Sequence, residues 1–340
     1  MTGATKPPNW KQGSPYQLRF LETHVKRSPG MVEWTVALHP ATCLVDLIAA
    51  VDTAERSPSM CTFDVTTGLQ TTDDTDSVNR AEILLKRVDL ERPNTEEPYS
   101  LRTDDHGLAH ARLAPGKYNA VATAIGFAET TAEFTWPTQN RRVTLRLGPA
   151  SGIQATVVDD RGDRIPAQAT IYSADGENPD FGPGSARTFV ENCVYSVHGR
   201  FRCPLDPGKY EIYFSRGPEY NAVRRELEVV AGQMSSLEVT LDRVVDTSGW
   251  VSTDLHSHSS PSGDNTSDQY GRVENLLCEH IEFAPCTEHN RVSSYAPHLE
   301  QMRLSQLMAT CTGIELTGSP TPVNHQNAFP LHRHPHTQNG

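Results

Sequence analysis

Several things are scarce in this chain, and each shortage narrows the reading. No apolar run approaches the ~20 residues that a membrane-spanning helix requires. Residues 1–15 are polar and carry no apolar core of an export signal, so export would need a signal upstream of Met1 and the compartment stays undefined. Basic residues are outnumbered, 30 Lys and Arg against 42 Asp and Glu, for a net charge of −12. That balance argues against nucleic acid or membrane insertion as the basis of function. The seven cysteines form no Cys-x-x-Cys pair, which excludes a zinc ribbon or a thiol redox motif. Cys193 and Cys203 flank an expected hairpin, where a disulfide and two buried thiols are both open. Aromatics make up only 7% of the chain and show no cluster, which leaves carbohydrate or surface contact through any β modules as a minor reading.

What is plentiful is turn chemistry. The 24 prolines and 23 glycines are spread along 340 residues, as in a chain of many short strands. Residues 1–15 read as a disordered leader. Alternating apolar residues from Gln17 to about Asp64 suggest strands, with Cys43–Ala54 ambiguous between strand and helix and Thr66–Asn79 a loop. An internal repeat follows. His106-Gly107 and Leu113-Ala-Pro-Gly-Lys-Tyr118 recur as His198-Gly199 and Leu205-Asp-Pro-Gly-Lys-Tyr210, both 92 residues later. Two motifs sharing one offset imply two copies of one module. Pro pre-sets φ in each Pro-Gly turn and Gly is expected to take φ > 0. The strand after it alternates, with Tyr210, Ile212 and Phe214 on one face. Short strands at this spacing describe β-sandwiches, expected over 16–148 and 149–246. Asp159, Asp160 and Asp163 superficially suggest a calcium loop but lack its full ligand pattern, so they are read as a turn.

Residues 247–340 differ. His256 and His258 are expected to end a short strand beginning at Trp250 and to share a face, which makes a pincer for a metal ion. Asp254 lies on that face, either to orient an imidazole or to cap a turn. Asp264 follows in a Gly-containing loop. Ser267 is expected to cap a helix carrying Val273, Leu276, Leu277 and His280. Further strands are expected at Ile281–Thr287 and Gly313–Thr317, with a helix over Pro297–Ala309 between them. Strand–helix alternation is the start of a parallel α/β barrel, in which chemistry gathers at the C-terminal strand ends. His289 and Glu315 fall at or near such ends, and Glu315 inside an apolar strand would be a costly charge without a cation. His332, His334 and His336 are read as adventitious binders in a polar tail.

The motifs Asp254-Leu-His-Ser-His258, Asp264, Thr287-Glu-His289, Gly313-Ile-Glu315 and His325-Gln-Asn-Ala-Phe together resemble the PHP (polymerase and histidinol phosphatase) superfamily. The first repeat resembles carboxypeptidase regulatory-like, transthyretin-type domains. The PHP resemblance implies a distorted (β/α)7 barrel, of which residues 247–340 would be the N-terminal half of a C-terminally truncated domain. It implies two or three divalent ions (Zn, Mn or Fe) held by His256, His258, Asp264, His289, Glu315 and His325. Glu315 would bridge, Glu315 and His289 would act in catalysis, and Asp254, Glu288 and Asn327 would support the ligands. Glu288 stands where that family carries Asp. The implied activity is that of a hydrolase, a phosphoesterase in which a metal-activated water attacks a small-molecule phosphate ester. The alternatives are a non-catalytic binding or structural protein with a vestigial metal domain, and an amidohydrolase-type barrel, which also begins with His-x-His.

Overall fold

The computed structural model describes residues 20–28, 31–38, 59–67, 77–88, 99–104, 106–182, 189–318, 324–334 and 336. The expected leader, the ambiguous Cys43–Ala54 and most of the loop at Thr66–Asn79 lie outside the described residues. The chain divides into two compact units, Met1–Ala124 with Ala128–Gly148, and Ile125–Phe127 with Pro149–Gly340.

In the first unit, β1 (Phe20–Ser28) and β2 (Met31–Leu38) pair antiparallel. Seven strands follow: β3 (Ser59–Thr67), β4 (Glu82–Arg87), β5 (Tyr99–Arg102), β6 (Leu108–Leu113), β7 (Gly116–Thr123), β8 (Thr130–Trp136) and β9 (Arg142–Leu147). They form a three-stranded sheet, β6-β3-β9, and a four-stranded sheet, β5-β4-β7-β8. Period-2 alternation sends Cys61, Phe63, Val65, Ile83, Leu85, Tyr118, Ala120 and Leu145 inward. Phe63 and Phe134 meet edge to face at 6.0 Å and join the two sheets.

The second unit contains the same plan. Its strands are β10 (Gly152–Val158), β11 (Ala167–Ser173), β12 (Phe189–Val190), β13 (Cys193–Ser196), β14 (Arg200–Pro204), β15 (Gly208–Ser215), β16 (Val223–Val229) and β17 (Met234–Thr240). The sheets are β14-β10-β17 and β12-β13-β11-β15-β16. As β3 runs antiparallel to β6 and parallel to β9, so β10 runs antiparallel to β14 and parallel to β17. Register carries the 92-residue offset as well: Phe63 faces Ala109, and Ala155 faces Phe201. Each copy also closes the same hydrogen bond. Tyr118 Oη donates to Ala114 O at 2.8 Å, and Tyr210 Oη to Asp206 O at 2.9 Å, in the manner of a tyrosine corner.

The turns divide into two kinds. Gly107 and Gly199, in the His-Gly turns, take φ of 71° and 64°, where a side chain would be strained. The Pro-Gly turns depart from expectation, because Gly116 and Gly208 are the first residues of β7 and β15 and are absent from the left-handed positions. Gly116 is small for another reason: a Cβ there would lie 2.7 Å from Arg87 Nε. Asp159 Oδ1 accepts the N–H groups of Arg161 and Asp163 at 3.0 and 2.9 Å, the geometry of a turn. Cys193 and Cys203 are both free thiols, since the hairpin that joins them also switches sheets. Burial pushes the Cys203 thiol up to about 12.

The remainder of the second unit corrects the barrel expectation. It contains α1 (Gln269–Cys278), β18 (Phe283–Cys286), α2 (Ala296–Met302), β19 (Ala309–Thr312), β20 (Ile314–Leu316) and β21 (Gln326–Ala328). Among the described residues of this region, β18 and β19 are the strands that pair in parallel, with isolated parallel bridges at Thr253–Phe283 and His289–Glu315, and β20 pairs antiparallel with β21. Among the described residues there are two α-helices and no closed barrel, so the molecule is predominantly a β protein. Too few residues separate Leu316 from Gln326 for the helical crossover that a parallel neighbour needs, and β21 runs antiparallel to β20. The segment from Trp250 to His258 is not a strand; Thr253 makes one isolated parallel bridge to Phe283. Helix α1 is capped by Asp268, whose carboxylate accepts from Gly271 N at 2.7 Å, rather than by Ser267. Helix α2 stops at Met302 because Arg303 turns left-handed, at φ 59°, which frees Ala309–Thr312 to form β19. One face of α1 (Val273, Leu276, Leu277) packs with Tyr295, Leu299, Leu304 and Met308 and with Val197 of the sandwich.

Candidate metal centre

The centre is assembled from loops that short strands hold in place. Glu315 occupies the middle of β20, and its N–H donates to Glu288 O at 3.0 Å. Asn290 N in turn donates to Glu315 O at 2.8 Å, so His289 and Glu315 bridge side by side. The loop bearing His256 and His258 is pinned at Ser257, whose N–H donates to Thr287 Oγ1 and whose C=O accepts from it, both at 2.9 Å. Ser257 Oγ also pairs with Tyr295 Oη at 2.9 Å.

These supports bring all six expected ligands together. Oε2 of Glu315 lies 3.2 Å from His256 Nε2, 3.1 Å from His258 Nε2 and 2.9 Å from His289 Nδ1. Its other oxygen lies 2.5 Å from His325 Nδ1. Asp264 Oδ2 is 2.9 Å from His289 Nε2. Three overlapping triads result: His256, His258 and Glu315; His258, Asp264 and His289; and His289, Glu315 and His325. The tail residues His332, His334 and His336 join none of them.

The supporting residues act differently from what their positions suggested. Asp254 accepts the backbone N–H of His256 at 3.1 Å, which is the turn-capping alternative. Glu288 touches no imidazole. Its fully buried carboxylate accepts Ser259 N at 3.0 Å, the hydroxyls of Ser259 and Ser262, and Gln269 Nε2 at 3.2 Å. Asn327 Nδ2 donates to Leu255 O at 3.1 Å, tying β21 to the His256 loop. Sequence reasoning passed over Ser262 and Thr317, which orient the ring atoms. Ser262 Oγ pairs with His258 Nδ1 at 3.0 Å, and Thr317 Oγ1 with His289 Nδ1 at 2.6 Å. The available signal for Ser262 was the run of small hydroxyl residues after His256.

The electrostatics favour an N/O ligand set. Burial, then the neighbouring His289, holds the His258 imidazole below its ordinary range and so neutral and able to ligate. Burial works against the charged form of Glu315, but the hydrogen bond to His325 and the adjacent imidazoles of His256 and His289 outweigh it and hold the carboxyl low. Asp264 is held low in the same contest, chiefly by His289. Glu315 Oε2 is buried and has no hydrogen-bond partner of good geometry, although three imidazole nitrogens surround it. A divalent cation satisfies such an oxygen, and a mixed set of histidine and carboxylate suits borderline ions rather than soft copper(I).

No family model and no curated protein matches the chain. Similar solved structures include the shaft pilin SpaA from Lactobacillus rhamnosus GG, 12% identical, with a TM-score of 0.30 over 56% of this chain and 99% of that one. The Bacillus anthracis TIE protein is 19% identical, with a TM-score of 0.23 over 54% of this chain and 34% of that one. The full-length pilus protein RrgB from Streptococcus pneumoniae is 12% identical, with a TM-score of 0.24 over 55% and 47% of the two chains. Likenesses at these scores carry no functional argument. The resemblances to the PHP superfamily and to carboxypeptidase regulatory-like domains are corrected by this result and by the fold. No family model supports either, and the residues behind the first sit on loops and on the short antiparallel pair β20–β21, with no closed barrel among the described residues. With the PHP resemblance go the hydrolase and phosphoesterase assignments and the choice of zinc or manganese.

Proposed function

We propose that this chain is a binding or structural protein in which two β-sandwich modules, divided near residues 148 and 246, carry a divalent-cation centre. The observation that supports this most is the Glu315 carboxylate, 1% exposed and surrounded by four imidazoles. The centre would hold two or three ions through His256, His258, Asp264, His289, Glu315 and His325. Its role is to lock the loops around β20 into one conformation, in the way a structural ion adds its binding energy to folding. Contact with a surface or a polysaccharide belongs to the sandwiches. Tyr172 and Tyr213, exposed and edge to face at 5.9 Å on the second sandwich, favour that assignment.

Metal analysis of the purified chain, followed by Co²⁺ titration read by visible absorption, tests the proposal. The expected result is at least one ion per chain, with a melting temperature that rises on loading. Absence of stoichiometric metal, or an unchanged Co²⁺ spectrum in Glu315→Gln, overturns it.

A further inference from the structure

A second site lies away from the metal centre, in a cleft of about 740 Å³ between the second sandwich and the α1–α2 region of the same unit. Three arginines line it, Arg164, Arg200 and Arg216, together with His198 and the single acid Glu274. Three fixed positive charges against one negative is the reverse of the chain as a whole, with its net charge of −12. The remaining wall includes the apolar groups Ile165, Pro166, Val197, Leu304 and Leu307 and the ring of Tyr195.

Arg216 is the unusual member. It is 7% exposed and follows β15 directly. Its Nη1 donates to Pro166 O at 2.6 Å, and its guanidinium lies 5.2 Å from the Tyr220 ring centre. Its Nε is buried and has no hydrogen-bond partner. A guanidinium stays charged in a protein, so an unmatched buried donor on it is costly unless an acceptor arrives. Arg164 and Arg200 are exposed at the cleft, where their charge draws an anion in.

From this juxtaposition we propose that the cleft binds a small amphipathic anion, a carboxylate or phosphate group on an apolar body. The arginines take the anionic head, and Ile165, Val197 and Leu307 take the apolar part. Arginine suits either oxyanion because its planar fork matches both.

The test is calorimetric titration of the whole chain with benzoate, phenylphosphonate and inorganic phosphate. One of the two aromatic anions binds saturably, and more tightly than inorganic phosphate. Affinity falls at least about tenfold in Arg164→Ala/Arg200→Ala, whose exposed side chains are removable without loss of the fold. His256→Ala keeps the affinity, which separates this cleft from the metal centre and makes its failure distinct from failure there. Leu307→Ala weakens the aromatic anions and leaves phosphate unchanged. No saturable binding, equal binding in the double-arginine variant, or loss in His256→Ala overturns the proposal.

Discussion

The second sandwich and the metal-centre region that follows it are held together in opposite ways. Strands β10 to β17 bury one continuous apolar cluster, from Ile153 to Leu241, and satisfy their backbone through long ladders. Around the centre, strands β18 to β21 are three or four residues long. Order there comes from side-chain hydrogen bonds converging on two buried carboxylates, Glu288 and Glu315. Apolar packing is non-directional and tolerates volume-conserving change. A buried polar network is directional, and loss of one member leaves several groups unsatisfied.

The contrast can be broken from either side. Phe214→Ala, at a fully buried core position, is expected to cost about 3–5 kcal/mol in urea unfolding. Its Co²⁺ affinity, measured under conditions where it remains folded, should be unchanged, and a coupled loss would show that the two regions are one network. Glu288→Ala orphans the Ser259 amide and the hydroxyls of Ser259 and Ser262, at a cost of about 3 kcal/mol. That variant should also bind Co²⁺ some 10–100-fold more weakly, although the Glu288 carboxylate bonds to serine and glutamine partners and to no expected ligand side chain. Glu315→Gln removes the shared carboxylate, and a loss of at least about 100-fold in Co²⁺ affinity is expected by spectroscopic titration. Smallest are Tyr118→Phe and Tyr210→Phe, each expected to cost about 1 kcal/mol for one hydrogen bond. Unequal losses would separate the two copies energetically despite their shared topology.

The parts that were legible in the sequence are those governed by short-range rules. Alternation of Tyr210, Ile212 and Phe214 announces an inward face, and it holds because strand side chains have a period of two. The 92-residue offset survives as register, because homologous turns align homologous ladders. The histidines and carboxylates that meet around Glu315 were named from type, spacing and the resemblance to the PHP superfamily. Their scaffold was misread, since His256 and His258 were placed on a strand and lie on a loop. The Pro-Gly turns misled as well, because Gly116 yields to the Arg87 side chain rather than to backbone conformation.

The sequence by itself determined the strand pattern, the duplication and which side chains carry atoms of metal-ligating type. Those are local properties, set by sterics, period and pKa. Only the tertiary structure decided that β20 pairs antiparallel with β21 rather than continuing a parallel barrel. It also decided that Asp254 and Glu288 serve backbone and serine partners, and that one buried oxygen of Glu315 is shared among three imidazoles. Such choices depend on which loops close over which neighbours, a balance of non-local contacts that no window of residues contains.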